Sequence, residues 1–296
     1  MRVLVNGLQL SKQFSGVQYY LENFLIAFSQ LGQTGIELFV LLPKDHKSKV
    51  INNENIAIIA APINCKIRSF RILYEHLVIP YLVKKLAIDT LFCPSYILPF
   101  FIRGKSVVVI HDLIALDFPK LCSWGNAAYF RYFLPRSIKK AGTIITGSIK
   151  VKENVLSRFD IPPNLVSVIK HGIPPRFKPI KSEKQLELIS AKYSLPENFI
   201  LFVGNIEPKK NIEVLLDAFS LLNMQDNEKC NLVLVGQLGW KYKKLMAKIL
   251  NTPFKERIYL PGYVDEQDLP GIYNLAQLLV LPSIYGNHSA NPVLFL

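Results

Sequence analysis

The sequence predicts an α/β protein of two doubly wound domains, the second incomplete, and three observations carry that expectation. Short β-rich runs alternate with amphipathic helical patterns along almost the whole chain, as in parallel sheets covered on both faces. The alternation breaks once, at the Pro-rich stretch His171–Lys181 (HGIPPRFKPIK), and then restarts, which places a linker there and domains at 1–175 and 176–296. Half of the 296 residues are hydrophobic and 19% are charged, so the chain can fill two cores and is not disordered.

In the first domain Arg2–Asn6 reads as a strand, followed by a loop over Gly7–Gly16. Tyr20, Phe24, Ala27, Phe28 and Leu31 then recur at helical spacing within Gln18–Leu31. Ile36–Leu42, Ile56–Ala60, Thr90–Cys93, Ser106–His111 and Thr143–Thr146 are expected strands. Arg68–Leu86, with a kink at Pro80, Asn126–Lys140 and Ile149–Phe159 are expected helices. After the linker come strands at Phe199–Val203, Asn231–Val235, Arg257–Leu260 and Leu278–Leu281. Helices at Glu213–Leu222, Tyr242–Leu250 and Asp268–Ala276 separate them. Four strands fall short of the five or six usual in a doubly wound half, hence the expectation of an incomplete second domain.

Charge is divided unevenly. Residues 1–180 hold 23 Lys and Arg against 10 Asp and Glu, whereas residues 181–296 hold 12 of each, so the whole net charge of +13 sits in the first part. That excess points to an anionic partner: a nucleic acid, an anionic membrane surface or a lipid-phosphate substrate. No recognised nucleic-acid-binding module is present, so nucleic acid is not an expected partner. The aromatic and basic run Tyr129, Arg131, Tyr132, Phe133, Arg136, Lys139 and Lys140 is a candidate for lying on an anionic surface or lining an acceptor groove. No 18-residue apolar span and no signal-peptide core are visible, and Cys65, Cys93, Cys122 and Cys230 are scattered without a C-x-x-C pair. A cytoplasmic protein with reduced thiols is expected.

The most specific segment is Phe202–Asn211, FVGNIEPKKN. A buried strand ends in Gly204, a short loop carries Lys209 and Lys210, and a helix is expected to open at Asn211. Backbone N–H groups at a helix start and adjacent ammonium groups favour a diphosphate; a strand–helix turn with solvated lysines has the same pattern. Val233–Trp240 (VLVGQLGW) is a strand followed by a glycine-rich turn, and 260–285 contain LPGYV and DLPGIYNLAQLLVLPSIY. The acidic run Asp265-Glu266-Gln267-Asp268 is expected to cap the helix beginning there rather than hold a metal. A nicotinamide-dependent oxidoreductase is disfavoured, because Asn6-Gly7 leads into LQLSKQ with no G-x-G-x-x-G.

In order and spacing these segments resemble the donor domain of family 4 glycosyltransferases, whose usual forms are VG-x-x-E-P-R-K-N, L-V-G-x-x-G-W, G-Y-V and L-x-x-L-Y-x-x-A-x-x-x-V-x-P-S. The first domain is similar to the same family more loosely, through Ser15-Gly16 before a helix, Val107–Leu113 (VVVIHDL), Thr146–Ser148 and Lys170–Phe177 (KHGIPPRF). The resemblance implies the GT-B fold, two Rossmann-like domains facing a cleft. It also implies a retaining transfer of a sugar from a nucleotide-sugar donor to a glycan, with family members of this kind building bacterial surface polysaccharide on lipid-linked acceptors by hexosyl or mannosyl transfer. Carried over by position, Lys210 and Lys209 match the cations at the donor diphosphate, Gly204 the close backbone approach, Gly16 the loop facing the donor phosphates and His111 the histidine near the transferred sugar. Asn205 stands where many relatives have Arg, one positive charge fewer. The resemblance calls for no cofactor, since the nucleotide sugar is a substrate, and places the enzyme in the cytoplasm, peripheral on the inner face of the membrane.

Developing charge on a leaving diphosphate can be stabilised by lysines and helix-start amides without a metal. No carboxylate is positioned in the sequence as a nucleophile for double displacement. The departure lies at the end, where relatives continue P-S-x-Y-E-G-F-G-x-P-x-x-E. Here Gly286 replaces the first Glu and Phe295 stands near the place of the second. Two expectations follow: this chain transfers sugar poorly, or it is a non-catalytic remnant that binds nucleotide or a membrane surface.

Overall fold

The computed structural model describes residues 1–11, 16–32, 35–44, 46, 55–65, 67–102, 104–225 and 230–284. These form two compact units, the first built on Met1–Lys120 and Trp124–Gly172, the second on Ile173 onward.

The first unit is a seven-stranded sheet. Its strands are β1 (Arg2–Asn6), β2 (Glu37–Pro43), β3 (Ile56–Ala61), β4 (Thr90–Cys93), β5 (Lys105–Ile110), β6 (Thr143–Thr146) and β7 (Val166–Val168). All pair in parallel, in the order β3-β2-β1-β4-β5-β6-β7. Helices α1 (Gly16–Ser29), α2 (Arg68–Lys85), α3 (Ile114–Asp117), α4 (Trp124–Lys140) and α5 (Ile149–Arg158) complete it. Alternation along β1 shows the two faces: Val3 and Val5 pack with Leu21, Leu25 and Phe28 of α1, whereas Leu4 packs in the core that holds Ile79 of α2, Leu134 of α4 and Val155 of α5. Each such side chain stabilises the fold by roughly 1.5–3 kcal/mol when fully buried.

The second unit repeats the plan in a smaller sheet. Helix α6 (Glu183–Tyr193) precedes β8 (Phe199–Val203), α7 (Ile212–Gln225), β9 (Asn231–Val235), α8 (Lys243–Asn251), β10 (Ile258–Gly262), α9 (Leu269–Leu275) and β11 (Leu278–Leu279). The parallel order is β10-β9-β8-β11. Leu232 and Leu234 face α7 and α8, while Val233 and Val235 face α6 and α9.

Several expectations shift by a residue or two, and some shifts matter. The strand expected to include His111 ends at Ile110, so the imidazole stands just past the sheet. Asn211 takes a left-handed conformation (φ 55°) that closes a 3-10 turn over Pro208–Lys210, and α7 opens at Ile212. Strand β7, helix α3 and helix α6 were absent from the expected elements. Tyr129 of the aromatic and basic run is buried against the core, so it is not part of an exposed face; Arg131, Tyr132, Arg136, Lys139 and Lys140 are exposed. Among the described residues no helix is long and apolar enough to cross a membrane.

Candidate functional site

In each sheet the strand order reverses beside the strand that comes first in sequence: β1 lies between β2 and β4, and β8 between β9 and β11. Ligands of open α/β sheets bind outside the carboxyl ends of the strands at such a reversal. The sequence-derived residues of each unit sit at these ends.

In the second unit Gly204 ends β8 with φ +152°, a conformation that disfavours any residue with a Cβ. It is held by its neighbour: the Gly204 N–H donates to the Val235 carbonyl (2.9 Å) and the Ile206 N–H to that of Gln237 (2.8 Å). Gly236, at φ +142°, crosses so closely that a Cβ on it would lie 2.1 Å from the Gly204 oxygen. Lys210 folds back over this crossing, its Cε 3.7 Å from where a Gly204 Cβ would stand. Lys209 is paired within its own turn, Nζ 3.0 Å from Glu207 Oε1. From the far side of the reversal, the Ile284 N–H donates to the Lys209 carbonyl (3.2 Å), so the segment after β11 holds the lysine turn.

In the first unit His111 lies beyond β5, and its Nε2 is 2.8 Å from the Pro94 carbonyl at the end of β4. A carbonyl can only accept, so Nε2 carries the hydrogen and the neutral ring keeps Nδ1 as an acceptor. Burial holds the His111 pKa below the usual histidine value and His171 adds to that, against the Pro94 hydrogen bond and Asp112. His171, beyond β7, stacks on His111 with ring centroids 5.8 Å apart. Tyr20, one turn into α1 from Gly16, meets both rings edge-on at 5.2 Å. Tyr96 is edge-on to His111 at 5.3 Å and donates to Asp112 Oδ2 (3.1 Å), while Asp112 Oδ1 accepts from the Ile114 N–H (3.1 Å). Asp112 is therefore an orienting group. Gly16 itself meets open space and opens a 14-residue helix with no acid in its first turn.

Sequence reading named Gly16 and His111 but missed Tyr20, Tyr96 and His171. It also missed the buried Glu75 of α2, beside Arg71 (3.8 Å). Burial pushes the Glu75 carboxyl up to about 7, with Arg71 and then the Asn6 side chain pulling it back. Burial raises the pKa of Cys93 and the Glu75 charge adds to it, so Asn6 of β1 and Cys93 of β4 place Glu75 near the reversal of the first sheet.

The acidic run does not cap α9. Asp268 makes no capping hydrogen bond; instead Lys192 Nζ bridges Asp265 (2.8 Å) and Asp268 (2.6 Å), with Tyr193 donating to Asp268 (2.8 Å). This cluster ties α6 to α9. The family-pattern positions Gly286 and Phe295, and Ser15 before α1, lie outside the described residues.

The chain matches two family descriptions in succession: Glycosyltransferase Family 4 over residues 14–177 and Glycosyl transferases group 1 over residues 187–293. It is 28% identical to the O-antigen chain mannosyltransferase B of Escherichia coli over 65% of this chain and 50% of that protein, so it spans about half the length of this relative. It is 21% identical to the Salmonella typhimurium O-antigen chain mannosyltransferase RfbU over 98% of this chain and 78% of that one. In fold it is similar to Anabaena HepE, solved in complex with UDP and glucose, with a TM-score of 0.65 at 17% identity over 95% of this chain and 74% of that one. Its structural neighbours are glycosyltransferases of the GT-B fold. With one family description covering more than half of its length, the chain belongs to glycosyltransferase family 4.

Proposed function

We propose that this chain transfers a sugar, of hexosyl or mannosyl type, from a nucleotide-sugar donor to a lipid-linked glycan acceptor during assembly of a cell-surface polysaccharide. The transfer proceeds with retention, and the protein works peripherally at the inner face of a membrane. The observation that carries the donor assignment is the crossing of Gly204 and Gly236 at the reversal of the second sheet, with the Lys210 side chain folded over it. Two strand ends stripped of Cβ atoms let a diphosphate approach the backbone, and an ammonium group beside it meets the charge that develops as the sugar–phosphate bond breaks. Lys209, paired with Glu207, fixes the turn. In the first unit Gly16 offers the open amides of α1 to phosphate oxygens, and the neutral His111 offers Nδ1 to a sugar hydroxyl. The mannosyl type and the polysaccharide setting are supported by the named activities of the Escherichia coli and Salmonella relatives, and the nucleotide-sugar donor by the UDP complex of HepE.

Titration calorimetry with nucleoside diphosphates tests the donor site. A charge-assisted contact is worth about 1.5–3 kcal/mol, so Lys210→Ala is expected to weaken binding at least tenfold. Lys209→Ala is expected to do less, because Glu207 already neutralises part of its charge. Equal binding by wild type and a folded Lys210→Ala protein would remove Lys210 from the site.

A further inference from the structure

Helix α2 carries a row of large apolar side chains that nothing among the described residues covers. Phe70, Leu73, Leu77 and Tyr81 are each more than half exposed, at 53%, 59%, 54% and 59%. At about 100° per residue they fall within an arc of about 80°, a single stripe along the helix. Lys84 falls in the same arc and Lys85 beside it, with the Lys85 ammonium 5.7 Å from the Tyr81 ring, so the stripe ends in cations.

Helix α4 lies alongside. Arg68 Nη1 donates to Asn126 (2.8 Å) and its guanidinium covers the Tyr129 ring at 4.3 Å, joining the starts of the two helices. His76 stacks against Phe133 and Phe100, joining their middles. The outer side of α4 shows Tyr132 under the guanidinium of Arg136 (3.8 Å), together with Arg131, Lys139 and Lys140. Two further exposed rings border the pair, Trp124 at the start of α4 (87% exposed) and Phe101 (67%).

The charge pattern selects the occupant. Across α2 and α4 the sole acid is Glu75, which is buried, so the outward sides of both helices carry apolar groups and cations with no carboxylate. A second copy of the chain would bring the same cations against themselves, whereas an anionic lipid surface supplies both a hydrocarbon boundary for the stripe and phosphates for the lysines and arginines. We infer that α2 is the membrane-contacting element of this protein: Phe70, Leu73, Leu77 and Tyr81 enter the headgroup boundary of an anionic bilayer, and the cations of α2 and α4 hold its phosphates. This inference rests on the membrane part of the proposed function and assigns it a surface.

The chain has two tryptophans, Trp124 and Trp240, so Trp240→Phe leaves Trp124 as the sole indole reporter beside the stripe. With this protein, phosphatidylglycerol vesicles are expected to shift the emission to the blue and to sediment the chain at low salt, and phosphatidylcholine vesicles to do neither. Leu73→Ser with Leu77→Ser is expected to lower vesicle binding at least tenfold; both side chains are exposed, and an unchanged melting temperature checks that the variant folds. Leu221→Ser, an exposed leucine of the second unit, is expected to leave binding unchanged. Vesicle binding that survives the double substitution, or binding without a Trp124 shift, would overturn the role of α2 while leaving membrane association standing. No binding to anionic vesicles would remove both. A dimer in sedimentation equilibrium that the double substitution dissociates, with no vesicle binding, would make the stripe a self-association surface and overturn the inference.

Discussion

At the scale of single residues, the buried ionisable groups of the first unit pull stability in opposite directions with pH. Glu75, raised from 4.5 to about 7, keeps a proton in the folded chain that the unfolded chain has released. Its contribution is therefore full at low pH and is lost as pH rises from about 4.5 to 7, by something on the order of 3 kcal/mol. His76, His111 and His171 are held below 6.5 by burial, so the unfolded chain protonates first and stability is lost as pH falls below about 6.5. Glu75→Gln mimics the protonated acid, and urea unfolding of wild type and variant at pH 5, 6.5 and 8 separates the two effects. The variant is expected to gain on wild type as pH rises; a constant difference across the series would show that Glu75 titrates normally. The Arg71–Glu75 spacing of four on α2 was legible in the sequence, but the burial that shifts Glu75 was not, because Asn6 and Cys93 reach it from two other elements. The His111–His171–Tyr20 stack was hidden for the same reason, its rings coming from sites after β5, after β7 and within α1.

At the scale of elements, the glycine crossing and the α9 tether are the exposed dependencies. Gly236→Ala puts a methyl group on the Gly204 carbonyl and forces φ +142° on an alanine. A loss of about 2–4 kcal/mol in denaturant unfolding is expected, together with weakened diphosphate binding, since Gly204 must move. Asn274 of α9 accepts from the Ile180 N–H (2.8 Å) and donates to the carbonyls of Lys178 (3.2 Å) and Pro270 (2.8 Å). Asn274→Ala is expected to cost about 1–3 kcal/mol and to speed trypsin cleavage after Lys181, the residue following Ile180; unchanged cleavage would show that Phe177, buried against Tyr273, suffices to hold this stretch. Helix α2 and strand β9 were readable to within a residue, whereas α7 runs three residues beyond the expected Leu222, to Gln225. Strand β7 was not, since three residues after a Pro-Pro turn carry too little alternation. Helix α6 had a readable signal that proximity to the Pro-rich stretch obscured. Ser182 is followed three residues later by Gln185, and the Ser182 hydroxyl accepts the Gln185 N–H (3.3 Å), half of a capping box.

At the scale of the whole molecule, the division into units follows the charge and the linker. Helix-free residues from Ile169 to Ser182 join them, and from Phe177 onward this stretch is tied to α9. Limited trypsin digestion is expected to pass through two fragments meeting between 170 and 176; early cuts inside β8 or α7 would show that the second unit lacks stability of its own. Strand β1 is a central strand whose two partners both follow it in sequence. Strand β1 sits between β2 and β4, and its second neighbour is complete only at Cys93. At a synthesis rate of about 5–20 residues per second, the edge of β1 that pairs with β4 waits roughly 5–20 seconds after its own synthesis for that partner. During that interval a strand of four buried residues keeps one edge of backbone N–H and C=O groups open to any other strand. Strand β1 is thus a segment that a nascent-chain chaperone would have reason to shield until β4 is made, and crowded synthesis would expose it to aggregation.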